Sequence, residues 1–354
     1  MKVPSPTQED CNTLLKFFQN GQFTEAENFA TTLSQKYPKN QFIWKVLGVS
    51  CEKLGKKEES LVANQKALKL EPNDFEVHNN VGNSLINLGR VQEAVISFKK
   101  AISLNPNYPQ AFFNLGNALN SIGETGEAIK CFHKATLLNP NYIKAYNNLG
   151  FLLANTGNLI EAEENYRKVI LLNPNYFYAH NNLGNVLQDQ NRYEESVKSY
   201  KQAIAISPDF AEAYFNLGFS LKELGQIEES VRSYKKAISL KPDYSDAFNN
   251  LGLAFEELGK LEDAKKSYRQ AISSNPKNFH AHNNLGSVLK SMGYIDEAKS
   301  YFNKAIDINS DFANAYYNLS AIKKFEEKDK HFIKMHELYV NQNLPKKESC
   351  LINY

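Results

Sequence analysis

Residues 143–176 read IKAYNNLGFLLANTGNLIEAEENYRKVILLNPNY. Tyr146, Leu149, Gly150 and Leu153 step by three and four, the spacing of one helical face. Gly157 then breaks the series, and Asn155-Thr156-Gly157-Asn158 predicts a turn, because glycine enters the left-handed conformation that ends a helix without a side-chain clash. Ala162, Tyr166, Val169 and Ile170 restart the period, which stops at Asn173-Pro174. Proline cannot continue a helix interior but suits the start of the next helix. The stretch predicts a helical hairpin.

The hairpin is one of many. Of the 12 prolines in the 354-residue chain, Pro38, Pro72, Pro106, Pro140, Pro174, Pro208, Pro242 and Pro276 are spaced 34 apart. With each proline at the thirty-second place of a unit, Gly48, Gly82, Gly116, Gly150, Gly184, Gly218, Gly252 and Gly286 share the eighth place. Gly21, Gly55, Gly89, Gly123, Gly157, Gly225, Gly259 and Gly293 share the fifteenth, where Asn191 fills the one skipped slot. A strict period of this length means a stacked repeat array in place of two or three globular domains. Nine units follow, at 7–40, 41–74, 75–108, 109–142, 143–176, 177–210, 211–244, 245–278 and 279–312, with a leader at 1–6, a partial tenth unit at 313–327 and a tail at 328–354.

The periodicity carries packing expectations. Acidic residues such as Glu194-Glu195 open the second helix of each unit and basic ones such as Lys99-Lys100, Arg167-Lys168 and Lys235-Lys236 close it, complementing the helix dipole. The eighth-place glycine and the small residue at the twentieth place (Ala94, Ala128, Ala162, Ser196, Ser230, Ala264, Ala298) are expected to face each other inside one hairpin and let its two axes approach closely. Rings at the twenty-fourth place (Phe98, Phe132, Tyr166, Tyr200, Tyr234, Tyr268, Phe302) are expected to fill the space between hairpins.

Composition narrows the function classes. Lys plus Arg total 41 and Asp plus Glu 39, a net charge of +2, so no global field favours nucleic acid or an anionic membrane. Cys11, Cys51, Cys131 and Cys350 have no ligand-like spacing, so neither a disulfide framework nor a zinc site is expected. No signal peptide and no membrane span is legible, and a cytoplasmic location with no cofactor is the expectation.

An aromatic or His at the fourth place, Leu-Gly at the seventh and eighth, a small residue at the twentieth, Phe or Tyr at the twenty-fourth and Pro at the thirty-second resemble the tetratricopeptide repeat. That resemblance implies an all-α, right-handed superhelical solenoid whose first helices line a concave groove for peptide segments of other proteins. The first unit departs from it, with Thr13-Leu14 where Leu-Gly stands elsewhere, as a cap would.

A constant place that packing does not demand points to function. The sixth holds Asn80, Asn114, Asn148, Asn182, Asn216, Asn250, Asn284 and Asn318. The second place of the same face has diverged freely (Glu76, Gln110, Lys144, Tyr178, Glu212, Asp246, His280, Asn314), and Asn is a mediocre helix former. Two other origins of the constancy are duplication alone and an amide that bonds a neighbouring hairpin. An amide carries an acceptor and a two-proton donor, enough to pair with a peptide C=O and N–H. Hairpins about 10 Å apart and strands rising about 3.3 Å per residue put one Asn beside every third peptide residue. Such a ladder reads backbone in extended or disordered partners, and Asn83, Asn117 and Asn185 at the ninth place add selectivity. The ladder is similar to the repeat arm of O-linked N-acetylglucosamine transferases, in which such asparagines hold extended protein substrates. The Lys and Arg carboxylate clamp of cochaperones in this family is not matched, since those places hold Asn or Phe.

No catalytic constellation emerges. Gly48–Lys57 has the wrong spacing for a phosphate loop and no Ser or Thr after the Lys. His78, His180 and His282 share the fourth place with aromatic residues and read as core-edge groups; His331 and His336, five apart, fall on different sides of a helix. In the tail, Phe332, Met335 and Tyr339 predict a capping helix. Asp329, Ile333, Met335, Leu338 and Leu351-Ile352-Asn353-Tyr354 resemble the connector of bacterial proteins that join such repeats to a sulfotransferase domain. Two readings follow: a self-standing interaction scaffold, or the substrate-recruiting arm of a transferase whose catalytic part lies elsewhere. Oligomeric state is not legible.

Overall fold

The computed structural model describes residues 5–323 and 329–340. They are all-α, with no strand among the described residues. The chain divides into two compact units, Met1–Asn173 and Pro174–Tyr354.

The first unit contains five helix pairs: α1 (Gln8–Gln19) with α2 (Phe23–Lys36), α3 (Gln41–Lys53) with α4 (Lys57–Leu70), α5 (Phe75–Asn87) with α6 (Val91–Leu104), α7 (Pro109–Ser121) with α8 (Thr125–Leu138), and α9 (Ile143–Asn155) with α10 (Leu159–Leu172). The second contains four: α11 (Phe177–Asp189) with α12 (Tyr193–Ile206), α13 (Ala211–Glu223) with α14 (Ile227–Leu240), α15 (Ser245–Glu257) with α16 (Leu261–Ser274), and α17 (Phe279–Ser291) with α18 (Ile295–Ile308). They are followed by α19 (Ala313–Ser320) and α20 (Lys330–Val340). Within each unit every helix packs on its sequence neighbours, and successive first helices also touch, as α3, α5 and α7 do. First helices therefore share one layer, the geometry that puts equal places of successive repeats side by side.

The fifteenth-place turns form as their residue types require. Gly157 sits at φ +81°, and the Asn158 N–H reaches back to the Leu153 carbonyl at 2.8 Å, capping α9. Asn191, at φ 58°, is the only non-glycine among the described residues with positive φ, and Asn tolerates that region better than other residues with a Cβ.

The ring and glycine places meet each other as well as the partners expected for them. A Cβ built on Gly82 would lie 2.4 Å from Cε1 of Phe98, and one on Gly184 2.5 Å from Cε1 of Tyr200. The eighth-place glycine thus makes room for the twenty-fourth-place ring of its own hairpin. The twentieth-place residue faces the glycine as expected, with Ser230 Oγ donating to the Gly218 carbonyl at 2.7 Å, and the buried rings fill the hairpin from within while also joining the core of the next one, as Tyr200 does with Leu217 and Leu221. The basic residues differ from the expectation. The last turns of α6, α10 and α14 contain none, because these helices run on past Lys99-Lys100, Arg167-Lys168 and Lys235-Lys236. Arg167 pairs with Glu163 on its own helix at 2.7 Å, so these charges do not cap the dipole.

The fourth-place residues tie one pair to the next. Nε2 of His78, His180 and His282 lies 2.9, 2.9 and 3.0 Å from the carbonyl of Pro72, Pro174 and Pro276. Trp44 donates from Nε1 to the Pro38 carbonyl at 2.9 Å, with the Lys66 ammonium 4.1 Å from its ring centroid. In the same pair Asn64 replaces the ring: it is fully buried, donates to Ser84 Oγ at 3.1 Å, and leaves its own Oδ1 without a partner.

The first and last described helices are fixed by local contacts. Thr7 accepts from the Asp10 N–H at 3.0 Å while its own N–H reaches Asp10 Oδ2 at 3.1 Å, a capping box that starts α1. At the other end α20 covers α19, with Met335 and Leu338 against the core that holds Phe302, Tyr316 and Leu319. Residues 351–354 of the connector-like pattern, and the side chains of His336 and Tyr339, lie outside the described residues.

Candidate functional site

The sixth-place asparagines all stand half-buried on first helices: Asn80, Asn114 and Asn148 in the first unit, Asn182, Asn216, Asn250, Asn284 and Asn318 in the second. Their amides are not idle. Asn114 donates from Nδ2 to Asn79 Oδ1 at 2.9 Å and to Asn83 Oδ1 at 3.1 Å, both on the preceding first helix. Asn216 repeats this on Asn181 at 3.2 Å and Asn185 at 3.0 Å. Asn148 donates to Asn117 at 2.9 Å, Asn284 to Asn249 at 3.0 Å and Asn318 to Asn283 at 3.0 Å.

The donor half of these side chains is therefore spent on the neighbouring hairpin, as the bonding alternative required. The acceptor half is spent at Asn250 and Asn284, which accept from Asn249 at 3.3 Å and Asn283 at 3.4 Å, but not at every place. Asn114 and Asn216 accept no protein hydrogen bond at Oδ1 among the described residues, and Asn148 accepts only a 3.4 Å contact from Asn147.

The ninth place supplies what the sixth gives up. Asn83, Asn117 and Asn185 accept at Oδ1 from the following sixth-place amide, which turns each Nδ2 away from that bond. None of the three donates from Nδ2 within the described protein. Each of the pairs Asn83–Asn114, Asn117–Asn148 and Asn185–Asn216 thus presents one donor from one helix and one acceptor from the next. Sequence reasoning missed the fifth-place anchors: Asn79, Asn181, Asn249 and Asn283 are buried, and the Asn-Asn doublets they form with the ladder were the available signal.

Electrostatics on this layer are mild. Lys45 pairs with Asp74 at 3.2 Å and also with Glu76, so the exposed second-place carboxylate there is neutralised. Burial pushes the His280 imidazole below its ordinary value, an effect that outweighs the attraction of Asp246. Cys11, Cys51 and Cys131 are free thiols, with Cys51 and Cys131 pushed up to about 11, mainly by burial. Among the described residues no group of three His, Cys, Asp or Glu side chains is placed to hold a metal, and no helix is long and apolar enough to cross a membrane.

Stacked helical hairpins with an amide-lined layer define a helical-repeat scaffold for protein interaction. Family profiles described as "TPR repeat" match residues 82–123, 116–157, 184–225 and 220–259; those described as "Tetratricopeptide repeat" match 63–96, 143–176, 165–198, 245–278 and 279–312. Together they run unbroken from 63 to 312, and the chain belongs to the tetratricopeptide repeat family. No curated protein matches it.

Among solved structures, PilF of Pseudomonas aeruginosa is 20% identical with a TM-score of 0.53, over 61% of this chain and 97% of that one. The Cut9 and Hcn1 hetero-tetramer of the APC/C gives 17% identity and a TM-score of 0.52, over 75% of this chain and 52% of that one. MamA is 27% identical over 46% of this chain and 95% of that one, with a TM-score of 0.43. The likenesses to PilF and to Cut9 and Hcn1 are likenesses of fold.

Proposed function

We propose that the asparagine-lined layer of each compact unit binds extended, unstructured polypeptide through its backbone. The observation that carries this is the divided labour of the amides. At Asn114 and Asn216 the sixth-place side chain is fixed by its own N–H donors and keeps its oxygen, while Asn83 and Asn185 at the ninth place keep their N–H. A peptide unit offers one C=O and one N–H, and such a pair complements both. Fixing the amides beforehand lowers the entropy lost when the peptide docks. Each net hydrogen bond contributes about 0.5 to 1.5 kcal/mol, and ordering a floppy chain offsets much of the sum, so affinities are micromolar or weaker. Backbone recognition of this kind is tolerant of sequence, which suits a scaffold whose mean field, at a net charge of +2, selects for neither sign.

The test is capture from an unbiased peptide array by the full chain. The triple variant Asn148→Ala, Asn182→Ala and Asn216→Ala is expected to lose capture with its helical circular dichroism unchanged, and so is Asn83→Ala, Asn117→Ala and Asn185→Ala. Undiminished capture by both variants would sink the reading.

A further inference from the structure

Between α5 and α7, beside the first of these amide pairs, lies a cavity of about 270 Å³. Its lining is apolar at Ile86, Val91, Phe98 and Ala118 and polar but uncharged at Asn83, Asn114, Asn117 and Ser121. We propose that this cavity is a side-chain pocket, which admits one aliphatic side chain of the extended peptide held on the same layer. The inference rests on the backbone-binding reading above and gives it a sequence preference.

Two substitutions within the repeat pattern open the pocket here. At the twelfth place, Gln188 and Glu256 bond the hydroxyls of Tyr200 and Tyr268. Phe98 has no hydroxyl to satisfy, and an aliphatic Ile86 stands in that place. At the tenth place Leu152, Val186 and Val288 are large and buried, whereas the short Ala118 stands there in the pocket lining. The pocket is thus the joint product of a ring without a polar tip and a side chain too short to cover it.

Size and charge define the occupant. The cavity is smaller than the roughly 300 to 1,000 Å³ of pockets that enclose whole drug-sized ligands, so it suits a fragment of a longer chain. No charged residue lines it, and a buried Lys or Asp side chain there would have no counter-charge. The amides in its lining favour a peptide over a free hydrocarbon, because only the peptide brings a C=O and an N–H to pair with them.

The test uses the full chain and a fluorescent, uncharged, Gly- and Ser-rich 12-residue peptide with a single central guest residue. Full burial of a leucine side chain predicts a Leu guest about tenfold or more tighter than an Ala guest, with Asp and Lys guests no tighter than Ala. Ala118→Leu, which installs the residue found at Leu152, is expected to bring the Leu-to-Ala ratio close to one. Ile86→Gln, which installs the residue found at Gln188, is expected to lower the ratio independently, and circular dichroism checks the fold of both.

A ratio near one in the unaltered chain, with both peptides bound, overturns the pocket and leaves the amide reading standing. A high ratio that persists in both variants places the selectivity elsewhere and also overturns it. Failure of every peptide to bind the unaltered chain overturns both inferences together.

Discussion

Single residues in this chain are constrained by what stands across the hairpin. A methyl group on Gly184 would meet Tyr200 at 2.5 Å, against a rigid ring that is itself fully buried, whereas one on Gly150 would meet Tyr166 at 3.1 Å. Gly184→Ala is therefore expected to lower stability by about 1 to 3 kcal/mol through overpacking. Gly150→Ala is expected to come out near neutral, since the gain in helix propensity, about 1 kcal/mol, offsets a milder clash. Urea midpoints of the two variants check the ordering. His282 adds a pH dependence: burial holds its pKa below the ordinary 6.5, against the opposing pull of the Pro276 carbonyl, with Lys304 adding to the depression. The unfolded chain then takes up the proton more readily, so the stability His282 supports is present above about 6.5 and is lost as pH falls through that value toward the lower folded one. His282→Tyr, which copies the carbonyl bond Tyr316 makes to Ser310, is expected to flatten the fall in thermal midpoint between pH 7 and 5. The buried, constant character of the ring and glycine places was legible in the sequence. The glycine's place opposite the small residue was legible too, as Ser230 and Gly218 show, but its contact with the ring was not, because periodicity tells which residues share a face and not how far a long side chain reaches across.

At the scale of elements, the junctions between hairpins carry the directional bonds. Asp74 caps α5 by accepting from the Glu76 and Val77 N–H groups at 2.9 and 3.1 Å, and it also takes Gln41 at 2.7 Å and Lys45 from α3. Burial raises its pKa, but the Val77 N–H, Lys45 and Gln41 together outweigh burial and leave the carboxyl below its ordinary 3.8. The stability it confers is thus present above 3.8 and is lost as pH falls through the lowered value. Asp74→Ala is expected to cost about 1 to 2 kcal/mol, most of it from the lost cap, with the loss localised by faster amide exchange in the first turn of α5. Turn positions were readable in advance because glycine and asparagine at one repeated place leave few alternatives. The double life of the ladder amides was harder to read. Equal spacing along the chain puts Asn114 and Asn148 on the same face, but the distance from Asn114 to Asn79 depends on how far apart two first helices settle, which their side chains decide only once packed.

For the molecule as a whole, a repeat that contacts only its neighbours makes stability close to a sum of pair and junction terms. Within the second unit, deletion of residues 211–244 would bring α15 against α12 with every place of the period still aligned, so Asn250 would stand where Asn216 now meets Asn181. That variant is expected to keep the helical signal per residue, while deletion of residues 211–227, half a period, is expected to lose part of it. Circular dichroism of the two chains separates the outcomes. The lone tryptophan gives such an array an internal clock hand. Trp44 is the only one in the chain, held to the Pro38 carbonyl and stacked under Lys66 in the second hairpin. Its emission reports the melting of that neighbourhood, whereas the far-ultraviolet signal averages over all the helices. The gap between the two denaturation midpoints is then a direct readout of how many hairpins melt as one.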